Sequence, residues 1–219
     1  MRTYQRLHGG PGRLILSVVL VAGAFCAKAE ERRWAFRVFL DDKPIGTHVF
    51  TLQDRDGFQE LKSQAAFSIK FLMVTAYRYE HTAIEHWRDG CLVSMEARTN
   101  DDGKKFSVSA HRDATVLIVN ANGTRTRLPE CILSFAYWSP AILGADRLLN
   151  AQTGRLEQVI IENQGRDEFA TARGSRMPAN RYRIVGPDQP ITLWYDEAKQ
   201  WIGLESRVGK GRRLTYRLE

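Results

Sequence analysis

From Gln59 to Trp87 the apolar residues keep almost entirely to odd positions: Leu61, Ala65, Phe67, Ile69, Phe71, Met73, Tyr77 and Tyr79. A period of two marks strands with one face turned to a core, because successive side chains leave a strand on opposite sides. A break near 72–76 divides the run into two strands. The same period recurs upstream. WAFRVFL (34–40) puts Trp34, Phe36, Val38 and Leu40 on one face, and THVFTL (47–52) does the same with His48, Phe50 and Leu52. The turn chemistry of DDKPIG (41–46) between them makes a hairpin. Downstream, RDG (88–90), NDDGKK (100–105) and ANGT (121–124) separate the strands CLVSMEART (91–99), FSVSAHR (106–112), TVLIVN (115–120) and RTRLP (125–129). Asp-Gly and Asn-Gly supply the positive φ that tight hairpins need.

The segment 131–150, CILSFAYWSPAILGADRLLN, is apolar without alternation. Ser139-Pro140 reads as an N-cap followed by proline at the first helical position, which predicts one short helix or lid segment near 139–149. The meander then resumes through RLEQVIIEN (155–163), EFATARGSRM (168–177), RYRIVG (181–186), ITLWYD (191–196), WIGLESRV (201–208) and RRLTYRL (212–218). There is no βαβ rhythm and no long amphipathic helix. The fold class is therefore all-β: a curved antiparallel meander forming a barrel or half-barrel, since a sheet of about a dozen strands must curl.

Before this pattern begins, Arg2, Arg6 and Arg13 precede the apolar run LILSVVLVAGAF (14–25), which leads to Ala27-Lys28-Ala29. A basic start, a short apolar run and an A-x-A site predict a cleaved signal peptide over residues 1–29. The run falls short of the roughly 20 residues that span a bilayer. Cys26 offers a lipidation site, but Phe25 is a poor neighbour for that processing. The expectation is a periplasmic protein with a single all-β domain over 30–219. Removing the leader lowers Lys plus Arg from 32 to 28 against 25 Asp plus Glu, a net charge of +3 over 190 residues. That balance gives no electrostatic footprint for nucleic acid. Cys91 and Cys131 survive cleavage and are read either as a disulfide, which an oxidising compartment permits, or as two buried thiols.

With the strands placed, IGTHVF (45–50), YRYEHTAIEHW (77–87), YWSPAILGADRLLNAQTG (137–154) and WYDEAKQWIGLESRVGKGRRLTYRL (194–218) together resemble a family of exported bacterial proteins known as a domain of unknown function. The closing pattern is also similar to a second uncharacterised periplasmic β family. More distantly, the architecture resembles the half-barrel lipoprotein carriers that hold acyl chains. The resemblance implies an all-β fold and transfers no catalytic residue.

YRYEHTAIEHW carries the densest chemistry. Read as a strand, it lines up Tyr77, Tyr79, His81, Glu85 and Trp87 on one face. His81 and Glu85 then lie about 13 Å apart along the strand, too far for one metal ion or a direct proton relay. Pairing His48 with His81 across strands is the remaining route to a metal, and no metal is expected. No G-x-S-x-G elbow is present, so no catalytic residue is assigned; a hydrolase using His81 and Glu85 is the enzymatic alternative. The bland reading is a polar stripe satisfied inside a filled barrel, with Arg98 neutralising Glu85 from the neighbouring strand.

The functional reading is a ligand wall. Trp34, Phe36, Phe50, Phe67, Phe71, Tyr77, Tyr79 and Trp87 would form the inner face, with 131–149 across the mouth as a lid. His48, Tyr77, Tyr79, His81, Glu85, Trp87 and Trp138 are the candidate ligand-binding residues. The expected function is non-catalytic binding of a lipid-like, apolar or amphipathic envelope molecule, without a cofactor. An envelope protein–protein scaffold is the other non-catalytic alternative.

Overall fold

The structure, a computed structural model, describes residue 1 and residues 31–55, 57–71 and 74–219. The leader read at 1–29, with Cys26, falls outside these residues apart from Met1, as do positions 72 and 73.

The first half of the chain is a continuous antiparallel meander. Its strands are β1 (Glu31–Leu40), β2 (Lys43–Arg55), β3 (Phe58–Phe71), β4 (Val74–Arg88), β5 (Cys91–Asp101), β6 (Lys104–Asp113), β7 (Val116–Ala121) and β8 (Thr124–Pro129). The turns use the residues that tolerate a left-handed backbone. At the β5–β6 turn both Asp102 (φ 50°) and Gly103 (φ 92°) are positive, and Asn122 and Gly123 repeat this between β7 and β8. Positive φ at both central residues matches the twist of the flanking strands.

The chain then leaves the sheet. Between 131 and 159 it forms β9 (Leu133–Ser134), a 3-10 turn (Pro140–Gly144), β10 (Arg147–Leu149) and β11 (Leu156–Gln158). The three strands make a small sheet of their own, in the order β11-β10-β9. A second meander follows: β12 (Ile160–Ala170), β13 (Arg176–Val185), β14 (Ile191–Tyr195), β15 (Trp201–Val208) and β16 (Arg212–Leu218). β16 pairs with β1, for instance Val38 with Tyr216, and this joins the two meanders. The result is one 13-stranded sheet in the order β12-β13-β14-β15-β16-β1-β2-β3-β4-β5-β6-β7-β8. It is all antiparallel and stays open, with β8 and β12 as its edges. Of the all-β barrel or half-barrel expected from the sequence, the open half-barrel is the architecture observed.

The short helix expected near 139–149 is present as a 3-10 helix, Pro140–Gly144, with the proline in its first turn; it closes when Ala145 N–H bonds Ile142 O at 2.9 Å. Three local expectations need correction. Ser139 makes no side-chain cap. RLEQVIIEN is two strands in two sheets. The division falls at Val159, whose N–H bonds Asp146 O at 2.8 Å instead of a partner in the large sheet. EFATARGSRM is not one strand but the β12–β13 hairpin, where Thr171 N–H bonds Ser175 O and Gly174 takes φ 87°.

The segment 132–149 is also no lid. Ile142, Leu148 and Leu149 are fully buried, in one core with Trp34, Phe36, Leu52, Trp87 and Trp201. The segment fills part of the trough formed by the curled sheet: Ile132, Ser134, Ala136, Trp138, Ile142, Leu148 and Leu149 are buried, while Ala141, Gly144 and Asp146 stay exposed. Trp138 is wedged between Trp34 (6.4 Å between ring centroids) and Trp87 (5.7 Å), and Tyr195 donates its hydroxyl to Tyr137 O at 2.7 Å. A disulfide joins Cys91 at the start of β5 to Cys131 at the start of this plug, with Cα atoms 5.0 Å apart.

Candidate functional site

β4 alternates as its sequence requires. His81, Ala83, Glu85 and Trp87 are buried, while Thr82, Ile84 and Arg88 are exposed. Cross-strand registry fixes the neighbours of the inward row: His81 stands opposite Ala65 and Thr99, and Glu85 opposite Leu61 and Met95. Arg98 lies opposite Thr82, on the outward face. It does not reach Glu85, which corrects the pairing expected from the sequence; a side chain one position out of phase points to the other side of the sheet.

Where the plug ends, the trough stays hollow. A cavity of about 530 Å³ is lined by His48, Tyr79, His81, Glu85 and Trp138, with Phe50, Leu61, Ser63, Ser134, Tyr137, Gln152 and Tyr216 among the others. A second cavity of about 560 Å³ lies beside it and holds Tyr77. Tyr79, Gln152, Leu214 and Tyr216 line both. The partition is held by Tyr79, whose hydroxyl donates to Gln152 Oε1 at 2.9 Å. Five of the seven candidate residues thus meet at the first cavity, and Tyr77 at the second, where it donates to Asp101 at 2.7 Å. Trp87 is not among the lining residues; it is 2% exposed, with its indole N–H on Glu85 Oε2 at 3.0 Å.

The polar groups of the cavity take separate partners. His48 Nε2 lies 2.7 Å from Ser63 Oγ, and His48 Nδ1 lies 3.4 Å from Tyr216 Oη. His81 Nδ1 pairs with Thr99 Oγ1 at 2.8 Å. The two imidazoles are 6.4 Å apart between ring centroids and share no hydrogen bond. Glu85 accepts from Trp87 and from Ser134 Oγ (3.1 Å), both on Oε2. No two of His48, His81 and Glu85 are hydrogen-bonded to each other, so the geometry offers no relay among them. Among the described residues, no group of three or more His, Cys, Asp and Glu converges as a metal site would.

Burial sets the charge states. Desolvation depresses the His48 imidazole well below its ordinary value, with the neighbouring His81 adding to the effect. Desolvation also lowers His81 to about 4. Both are neutral at pH 7. Glu85 is pushed up to about 7 by burial, against the opposing hydrogen bonds from Ser134 and Trp87. Such a carboxylate is half-charged near neutrality and responds to whatever stands beside it.

Several lining residues escaped the sequence reading. Ser63 sits in the odd set of β3, and Tyr216 in the alternating RRLTYRL strand, so both carried a period-two signal. Ser134 and Gln152 carried none, because the plug has no regular period.

A family model described as a domain of unknown function, DUF6134, matches residues 36–219. Among solved structures, a beta-barrel-like protein of domain of unknown function DUF1849 from Brucella abortus is similar, with a TM-score of 0.62 at 10% identity. The alignment covers 85% of this chain and 94% of that one. At that identity the likeness is one of fold alone. The chain has no significant match among curated proteins.

Proposed function

The chain belongs to the DUF6134 family, a domain of unknown function, and we propose that it binds an apolar or amphipathic small molecule in the trough of its half-barrel, as an exported protein of the cell envelope. The observation that carries this reading is the hollow beside the plug: about 530 Å³, with Phe50, Leu61, Trp138, Ile191 and Leu204 on its walls and polar side chains, His48, His81 and Glu85 among them, interspersed. Ligand pockets have this size. Export is supported by the leader pattern at 1–29 and by the Cys91–Cys131 disulfide, which persists in oxidising compartments.

The two alternatives have weaker support. A scaffold would use the open edges, but β8 carries Arg125, Arg127 and Pro129 and β12 carries Glu162, Arg166, Asp167 and Glu168. Charge and proline are the devices that guard an edge against pairing. A hydrolase would need His81 and Glu85 to act together, and the two share no hydrogen bond.

Native mass spectrometry of the protein isolated from the envelope tests the binding reading. An adduct of lipid-like mass, released on denaturation, is the expected result. Protein that is isolated empty and takes up no amphiphile on titration would overturn it.

A further inference from the structure

The cavity has a charge character opposite to that of the chain. Without the leader the chain is mildly basic, with 28 Lys and Arg against 25 Asp and Glu. Yet no Lys or Arg is among the residues lining the cavity, whereas Glu85, Glu157 and Asp188 are. Arg212 lines the neighbouring cavity and is paired with Asp41 at 2.7 Å. Glu157 already accepts from Asn150 at 2.9 Å, and Asp188 is exposed. Glu85 is different. It is 5% exposed and lines the cavity, and both its hydrogen bonds fall on Oε2. Oε1 is left for an occupant. Tyr79, Tyr137, Trp138 and Tyr216 surround the same space. Aromatic faces attract organic cations, most strongly where water is excluded.

Resting on the ligand-binding reading above, we propose that the occupant is an amphiphile with a cationic ammonium head, seated against Glu85 and the surrounding aromatic rings, with its hydrocarbon along Phe50, Leu61 and Leu204. A fatty acid or an anionic phospholipid would bring a second negative charge into a low-dielectric space that offers no cation to meet it. An ammonium gives Glu85 the counter-charge that the protein does not supply, and it favours the ionised carboxylate over the protonated one that burial prefers.

Titration of the intrinsic tryptophan fluorescence at pH 8 tests this, with three probes of equal chain length: decyltrimethylammonium, decanoate and 1-decanol. The expected order has the ammonium tighter than decanoate by at least about tenfold, against the sign of the protein's overall charge. Glu85→Gln should erase that preference, and Glu85→Asp should keep it. If decanoate binds as tightly as the ammonium, the cationic head is wrong while the binding cavity stands. If none of the three binds, the binding reading itself fails. A Glu85→Gln protein that keeps the full preference overturns the role given to Glu85. Should that variant not fold, the affinity ratio in the unaltered protein decides.

Discussion

At neutral pH, Glu85 weakens the fold that holds it. Its carboxyl titrates at about 7 when folded, against an ordinary 4.5. Below pH 4.5 both states are protonated and nothing is lost. As pH rises toward 7 the unfolded chain ionises first, so stability falls across this window and the full penalty remains above it. The residues directly beside Glu85 on β3, β5 and β9 are Leu61, Met95 and Ser134, none of them ionisable. The ionisable groups sharing its cavity are His48 on β2, Tyr79 and His81 on β4, Tyr137 in the plug, Glu157 on β11, Asp188 in the β13–β14 turn and Tyr216 on β16. Glu85→Gln should therefore stabilise the protein by on the order of 2–3 kcal/mol at pH 8 and hardly at all at pH 4.5. Urea denaturation at the two pH values reads the difference directly, and an equal effect at both would contradict the burial argument. The histidines act in the opposite sense. With folded values lowered by burial, His48 and His81 subtract stability as pH falls from 6.5 toward 4, because the unfolded chain protonates first.

Among the strands, period two was nearly sufficient. It placed His81, Glu85 and Trp87 on the buried face of β4, and it placed His48 and Ser63 on strands whose registry brings them within hydrogen-bond distance. It failed where the chain changes sheets, at Val159, and where a hairpin interrupts a run, at Gly174. Alternation reports which face is buried; it is silent about which sheet buries it. It also missed a second, smaller cluster formed by Phe169, Ala179, Trp194 and Ile202. There the Phe169 ring lies directly on Gly203 of β15, so that a Cβ built at Gly203 would overlap it. Gly203→Ala should displace the ring and destabilise the protein by about 1–3 kcal/mol. Adding Phe169→Leu should recover part of that loss. Thermal denaturation of the single and double variants checks both statements.

Across the whole molecule, the disulfide ties the plug to the sheet. Cys91 and Cys131 are 40 residues apart in sequence. Closing a loop of that length in the unfolded chain is worth about 4 kcal/mol on the chain-entropy account, and measured losses often fall below it. Cys91→Ala with Cys131→Ala should therefore lower stability by about 2–4 kcal/mol in urea. Because the plug also forms the cavity floor through Ser134, Tyr137 and Trp138, the same variant should bind any amphiphile more weakly.

The sequence by itself determined the strands, most of their turns and which side chains face inward, since each of these depends on neighbours a few residues away. Period two and the Asp-Gly and Asn-Gly turns encode them locally. Only the tertiary structure decided that 131–159 fills the trough instead of capping it, that the two cysteines pair, and that a hollow remains beside His48, Tyr79, His81 and Glu85. Those outcomes depend on contacts such as Trp34–Trp138, Glu85–Ser134 and Tyr79–Gln152, between residues 49 to 104 positions apart. No local pattern records whether distant side chains that meet in a trough fill it or leave room.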